Sequence, residues 1–252
     1  MSTQQRPLMI VTGASRGIGA EVAVLAAGRG YDLCLNYGSD HQSMERVESA
    51  ARTAGARTVS AAGDIADEDV VVALFAAATA EFGRLDVLVN NAGIVDSIGR
   101  LENFTVQRIR RTFDVNVLGS FLCAREAVRL MSTHKGGNGG AIVNVSSAAS
   151  YLGTPGEFID YAASKGAVDS MTIGLAKEVA TEGIRVNAVR PGLIETEIHA
   201  RAGKPNRVAD LAPNVPMQRG GSALEVAEAV LWLASSEASY VTGALLNVAG
   251  GR

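Results

Sequence analysis

Short apolar runs alternating with longer segments of helical period narrow this chain to one class of fold. The runs at 8–12, 33–36, 87–90, 141–146, 185–189 and 244–248 are rich in Val, Ile and Leu and are bounded by Gly, Asn or Pro. A short run without polar alternation reads as a strand buried on both faces, the habit of parallel sheets. Residues 58–61 offer a weaker further strand. Between these runs the period changes. Ile18, Val22 and Leu25 recur at i, i+4 and i+7; Met44, Val47 and Ala51 mark a second helix; Asp67 is placed to cap a third carrying Val71, Leu74, Phe75 and Ala78. Longer helices are predicted over 105–131 and 161–180, and a last one over 224–233. Strand and helix in alternation imply right-handed crossovers. The expectation is an α/β, Rossmann-type, doubly wound parallel sheet of about seven strands with helices on both faces.

Composition fits one domain over 1–252. Apolar residues make up 47% and charged residues 19%, enough for one sizeable core, and no repeat or linker divides the chain. A formal charge of −3 without any Lys/Arg block argues against a nucleic-acid partner. No apolar stretch reaches the ~20 residues of a membrane span, and the first residues lack the apolar run of a signal peptide. Cys34 and Cys123 sit far apart in apolar surroundings, without metal-ligand spacing. Two buried thiols in a reducing cytoplasm are expected, and no metal.

The residues that carry chemistry cluster at strand ends. The first strand runs into Thr12-Gly13-Ala14-Ser15-Arg16-Gly17-Ile18-Gly19. Glycine lets backbone N–H groups approach a pyrophosphate at the start of the following helix, so a dinucleotide site is predicted. At the end of the second strand, where an acid usually binds the ribose 2′-hydroxyl of NAD, the chain reads Asn36-Tyr37-Gly38-Ser39, with no acid before Asp40. That absence, with Arg16 inside the glycine turn, favours NADP(H) over NAD(H). The run 135–140 (KGGNGG) resembles a phosphate loop in composition, but it follows a helix and precedes a strand, which puts it at the opposite edge of the sheet.

Further along, Tyr161 and Lys165 lie at i and i+4 on a predicted helix, one turn apart on one face. An ammonium there would favour the phenolate and bring a tyrosine pKa near 10 closer to neutrality, giving a tuned general acid/base. Ser147 ends a predicted strand, with Ser146 the less favoured hydroxyl because neighbouring strand residues face opposite ways. Asn90-Asn91-Ala92-Gly93 and Pro191-Gly192 through Thr196 follow other strands at the same carboxyl edge.

Together these residues resemble the short-chain dehydrogenase/reductase family over essentially the whole chain. The match comprises the TGASRGIG turn, Asp64-Ile65, Asn90 to Gly93, Asn116 within NVLGS, Ser147, Tyr161 with Lys165, and the 191–196 segment; the stretch around 126–167 lies nearest the glucose-dehydrogenase and 3-oxoacyl-carrier-protein-reductase branches. The resemblance implies an NADP(H)-dependent oxidoreductase interconverting a ketone or aldehyde with an alcohol. It makes Tyr161 the proton donor or acceptor, Lys165 the ligand of the nicotinamide ribose, Ser147 the stabiliser of the substrate oxygen and Asn116 the holder of a water in a proton relay. Gly13, Ser15, Arg16, Gly17, Ile18 and Gly19 would cradle the phosphates. Asn36, Tyr37, Asp64 and Ile65 would surround the adenosine, Asn90, Ala92 and Gly93 the adjoining ribose, and Pro191, Gly192, Ile194 and Thr196 the nicotinamide. The family's habit implies a homo-oligomer, a tetramer. A carrier-protein reductase or a sugar dehydrogenase are the enzymatic alternatives, the former needing a cationic face such as Arg125 and Arg129 could form. A dinucleotide-sensing scaffold is the non-enzymatic one, disfavoured because Asn116, Ser147, Tyr161 and Lys165 are all present.

One departure from the family lies between Ser147 and Tyr161, where 161 − 147 = 14 positions is one more than in many members. The extra residue falls in the 153–160 loop, which with the irregular segment 195–220 is expected to shape the substrate pocket. Glu157, Arg190, Glu195 and His199 near it read as surface or ion-pair residues, and Arg108, Arg110 and Arg111 as a solvated helix face.

Overall fold

The computed structural model of the chain describes residues 6–197 and 203–252. Seven strands form one parallel sheet: β1 (Leu8–Val11), β2 (Asp32–Tyr37), β3 (Thr58–Ala62), β4 (Val87–Asn90), β5 (Gly140–Val145), β6 (Ile184–Pro191) and, last in the chain, β9 (Leu245–Val248), in the order β3-β2-β1-β4-β5-β6-β9. The expected fold is the observed one. β1, β2 and β4 are buried along their whole length, which is why they read as unbroken apolar runs, whereas the edge strand β3 is half-exposed and gave the weakest signal.

Side chains of one strand supply both faces. Met9 and Val11 join a core made with α1 (Gly17–Gly28), α2 (His41–Thr53) and the late helix α9 (Ala223–Ala234). Leu8 and Ile10 join the other, made with α3 (Glu68–Phe82), α5 (Gly119–Met131) and α7 (Ile159–Val179). Strand order reverses between β1 and β4, and their carboxyl ends open the crevice where such sheets take ligands. Residues 135–140 lead into the amino end of β5, away from that crevice, as expected.

The single helix predicted over 105–131 is divided. Helix α4 (Val106–Phe113) passes through a π-turn, Asp114–Leu118, into α5. Two contacts demand the widened turn: Asn116 must face Ile94, and Gly119 lies so close to Ile65 that a Cβ there would come within 2.4 Å of the Ile65 Cδ1. Periodicity does not register one inserted residue. Of the arginines of α4, Arg110 and Arg111 are exposed as expected and Arg108 departs from expectation. The Arg108 side chain is only 10% exposed, with its guanidinium paired to both oxygens of Asp160 at 2.7 and 3.1 Å and stacked 3.5 Å above the Phe104 ring. Arg111 pairs with Asp64 at 2.5 Å. For Arg108 the deciding neighbour is α7, which brings Asp160 against it.

The segment 195–221 is not featureless. A two-residue pairing of β7 (Ile194–Glu195) with β8 (Gly221–Ser222) closes its ends, and a short helix α8 (Arg207–Leu211) lies within it. Helix α6 (Ala149–Leu152) occupies the loop after Ser147. Such elements are too short to show periodicity. Among the described residues no helix is long and apolar enough to cross a membrane.

Candidate active site

The turn between β1 and α1 is shaped for close approach. A Cβ on Gly13 would lie 2.8 Å from the Ala92 Cα, and one on Gly19 would lie 2.4 Å from the Asn91 Nδ2. Asn91 donates from Nδ2 to the carbonyls of Thr12 and Gly13 at 2.9 and 3.0 Å, while the Thr12 hydroxyl accepts from the backbone N–H of Asn91 and Ala92. These bonds lock the Asn90–Gly93 segment onto the glycine turn. Helix α1 has no side-chain cap and no acid in its first turn. Its first N–H groups therefore remain available to an anion, the chemistry a dinucleotide pyrophosphate requires. Thr196 reaches the same place, its Cγ2 lying 3.4 Å from where a Gly17 Cβ would be.

At the end of β2, the Asn36 carbonyl accepts from the Ala14 N–H at 2.8 Å and its side-chain amide is spent on the carbonyls of Ala61 and Gly63. Tyr37 is buried, with its hydroxyl 2.7 Å from the His41 Nδ1. Both side chains hold the edge of the site in shape. Arg16 is the charged group there: its guanidinium lies 3.5 Å from Asp40 and 3.5 Å from Glu197. Asp40 also caps α2 by accepting from the Ser43 N–H, and that bond, more than Arg16, holds its carboxyl below the usual carboxylate range. Asp64 accepts from the Ala66 N–H at 3.0 Å besides pairing with Arg111, and the side chain of Ile65 is core. Only the backbone of residue 65 is left to face a ligand.

Across the crevice, α7 presents Tyr161 and Lys165. Burial pushes the Tyr161 phenol above its ordinary pKa, and the neighbouring Ser147 hydroxyl, which accepts from the Ala149 N–H at 3.1 Å, pulls it the other way. The Lys165 ammonium donates to the Val145 carbonyl at 2.8 Å and lies 5.7 Å from the centre of the Tyr161 ring. Lys165 is 4% exposed, and desolvation, opposed by Asp169, pulls it down to about 8. Asn116 and Lys165 converge on Gly93: a Cβ there would lie 3.3 Å from the Asn116 Oδ1 and 3.4 Å from the Lys165 Nζ. Asn116 is fully engaged, accepting from the Ile94 N–H at 2.8 Å and donating to the Ile94 carbonyl and the Ser164 hydroxyl at 3.0 Å. Ser146 is buried and donates to the Lys165 carbonyl, a brace for α7 rather than a face of the crevice.

Pro191 and Gly192 line the far wall. Ala148 donates to the Pro191 carbonyl at 2.9 Å, and Gly192 packs so closely on Ala249 that a Cβ would come within 2.7 Å of its Cα. Ile194 is buried beside them in β7. Arg190 pairs with Asp169 and Glu157 with Arg207, whereas Glu195 is exposed; His199 lies outside the described residues. Sequence reasoning missed Arg108, Asp160 and Arg207, because each takes its meaning from a partner distant in the chain. Cys34 and Cys123 are buried free thiols that burial pushes up to about 12. No group of three or more His, Cys, Asp or Glu side chains among the described residues could hold a metal ion.

A parallel sheet with a β1–α1 glycine turn, an uncapped helix start and a Ser-Tyr-Lys cluster at its switch point defines a dinucleotide-dependent oxidoreductase site of Rossmann type. Comparison agrees. The profile of a family described as enoyl-(acyl carrier protein) reductase matches residues 13–252. The chain is 52% identical to the uncharacterized oxidoreductase YgfF of Escherichia coli (strain K12), over 97% of this chain and 99% of that protein. It is 42% identical to cis-4-hydroxycyclohexanecarboxylate dehydrogenase of Sinomonas cyclohexanicum, over 96% and 94%. Among solved structures, levodione reductase superposes with a TM-score of 0.90 at 31% identity, covering 97% of this chain and 96% of that one. The chain belongs to the short-chain dehydrogenase/reductase family and is an oxidoreductase acting between alcohols and carbonyl compounds.

Proposed function

We propose that this protein reduces a small ketone or aldehyde with NADPH, or oxidises the corresponding alcohol with NADP⁺. The observation that carries the reading is the Ser147–Tyr161–Lys165 cluster facing an uncapped helix start across the switch-point crevice. In reduction, Tyr161 donates its phenolic proton to the carbonyl oxygen while the Ser147 hydroxyl donates a hydrogen bond to that oxygen and steadies its growing charge. A bound nicotinamide supplies the hydride. Lys165 holds the adjoining ribose hydroxyls, and Asn116 fixes the exit of β4 so that Asn90, Ala92 and Gly93 border the same ribose. Backbone N–H groups of Gly13, Ser15, Gly17, Ile18 and Gly19 hold the phosphates. Asn36, Tyr37, Asp64 and Ile65 form the adenosine end, and Pro191, Gly192, Ile194 and Thr196 the nicotinamide wall.

The preference for NADP(H) rests on Arg16 and on the lack of an acid at 36–39. A 2′-phosphate would offer Arg16 charge-assisted hydrogen bonds shorter than its 3.5 Å contacts with Asp40 and Glu197. Arg16→Ala should weaken NADPH binding by about 10- to 100-fold, the worth of ~1.5–3 kcal/mol for a bond to a charged group, and leave NADH within about twofold. Fluorescence titration measures both, and equal losses would move the assignment to NAD(H).

The reaction is tested by following NADPH consumption with a panel of carbonyl compounds and NADP⁺ reduction with alcohols. Hydroxycyclohexanecarboxylates come first, on the name of the Sinomonas relative. No turnover with any of them would remove the proposal. An acyl group delivered by a carrier protein finds less support, since Arg125 is paired with Glu68 and Glu126 and Arg129 with Glu126, which offsets much of the positive charge of that face.

The same reading includes self-assembly into a tetramer and work in the cytoplasm. Helices α5 and α7 leave Phe121 49% and Ile173 38% exposed, apolar area that a second copy would cover. Light scattering at micromolar concentration should return a multiple of the chain mass, and Phe121→Glu should lower it.

A further inference from the structure

Three segments meet around the mouth of the crevice and close a circuit. The first is the stretch between Ser147 and Tyr161, the second is the described part of the 195–221 segment, and the third is the chain's last turn. Glu157 and Arg207 join the first two: Arg207 donates from Nη1 and Nη2 to the two Glu157 oxygens at 2.8 and 2.5 Å, and its guanidinium lies 5.3 Å from the centre of the Phe158 ring. The Arg207 side chain is only 14% exposed. At the other end of its segment, the Met217 N–H donates to the Gly250 carbonyl at 3.1 Å, which joins the second stretch to the third. The Tyr151 hydroxyl donates to the Arg252 carbonyl at 2.8 Å, which returns the circuit to the first.

Little else holds the middle of this circuit. Helix α8 contains no buried residue. Its packing contact is Val208 against Gly220, where a Cβ would come within 2.4 Å of the Val208 Cγ1. Backbone strain is concentrated in the same place. Among the described residues, the non-glycine residues with positive φ are Thr154 at 42° and Gln218 at 53°, one in each of the two segments. A β-branched residue in that region persists only where its surroundings hold it. The Thr154 carbonyl accepts from the N–H of Glu157 and of Phe158, so the strained turn presents the Glu157 carboxylate toward Arg207.

We infer that Glu157 and Arg207 are a positioning pair: their ion pair, completed by the C-terminal turn, holds residues 203–222 against the 151–158 segment and so encloses the substrate beside Tyr161. The inference rests on the proposed carbonyl–alcohol reaction for its substrate but not for the tie itself. Neither residue acts on reacting atoms. The pair sets how long a substrate remains enclosed, and the tie acts on KM more than on kcat.

The test uses the full chain, the variants Glu157→Arg and Arg207→Glu, and the double variant that exchanges the two charges. Each single variant should raise amide hydrogen exchange across 203–222 by about tenfold and KM for the best panel substrate by about tenfold, with kcat within about threefold. Exchange in β1, β4 and β5 should stay at wild-type level, which shows that the fold stands. The double variant should recover both quantities to within about threefold of wild type. Unchanged exchange and KM in the single variants overturn the inference. So does a double variant that recovers neither, an outcome that would make Arg207 a direct substrate contact. A wild-type protein that turns over no carbonyl or alcohol sinks the proposed reaction, while the exchange measurements still decide the tie.

Discussion

Replacing Tyr161 by Phe should reduce turnover by about 10²- to 10⁴-fold, the usual contribution of a positioned general acid or base, while NADPH binding changes by less than about threefold. The ring remains to fill its place at the start of α7, and only the phenolic hydroxyl with its transferable proton disappears. Steady-state kinetics with cofactor titration separates the two quantities. Turnover within tenfold of wild type would remove Tyr161 from the chemistry. The pH dependence follows from the same groups. Reduction needs the neutral phenol, and burial keeps it neutral by raising its pKa, so acidity of Tyr161 does not limit that direction near pH 7. Lys165 is pulled down to about 8 by its own burial, so above that pH it sheds the charge that holds the ribose. Carbonyl reduction should therefore decline as pH rises through about 8. Alcohol oxidation needs the phenolate, and should gain from rising pH until the loss of the ammonium offsets it. A reduction rate that climbs through pH 8 would contradict the assignment.

The second large effect is expected where no substrate touches. Arg108→Ala should destabilise the protein by about 3–5 kcal/mol, because it leaves the Asp160 carboxylate buried without its cation. Asp160 is 6% exposed, receives both Arg108 bonds and lies directly before Tyr161 in the first turn of α7. Chemical denaturation measures the loss. The double variant Arg108→Met with Asp160→Leu should recover most of it, since apolar residues of similar volume often replace a buried pair without loss. A single variant within about 1 kcal/mol of wild type would mean that water reaches Asp160 when the arginine is gone.

The sheet was legible because parallel strands buried on both faces carry apolar runs without alternation, as β1, Leu33–Leu35 of β2, Val87–Val89 of β4 and Ala141–Val143 of β5 do. Its edge was harder to see, since β3 is covered on fewer sides. The chemistry was legible where one residue suffices, as with the glycines that admit no Cβ or the i, i+4 pair of Tyr161 and Lys165. It was hidden where the meaning lies in a pair. Arg108 looked like a solvated charge because Asp160 is 160 − 108 = 52 positions away. The setting of the Tyr161–Lys165 pair is another case. Helical spacing puts Lys165 on the right face, but the Val145 carbonyl, contributed by a different element, decides where its ammonium points. The π-turn at Asn116 likewise answers to Ile94 and Ile65, which no local pattern contains.

The pairing of β7 with β8 has a consequence for how such chains diversify. Ile194 lies opposite Gly221 and Glu195 opposite Ser222, so the segment between them leaves and re-enters the body at one point. The entropy of bringing its ends together is met by that miniature ladder, and lengthening the intervening stretch adds only slowly to the cost. Beyond that point the described part of the segment is joined to the body at Glu157 through Arg207 and at Gly250 through Met217. A longer or shorter stretch between Glu195 and Gly221 should therefore change stability little so long as those two contacts and the β7–β8 pairing are kept.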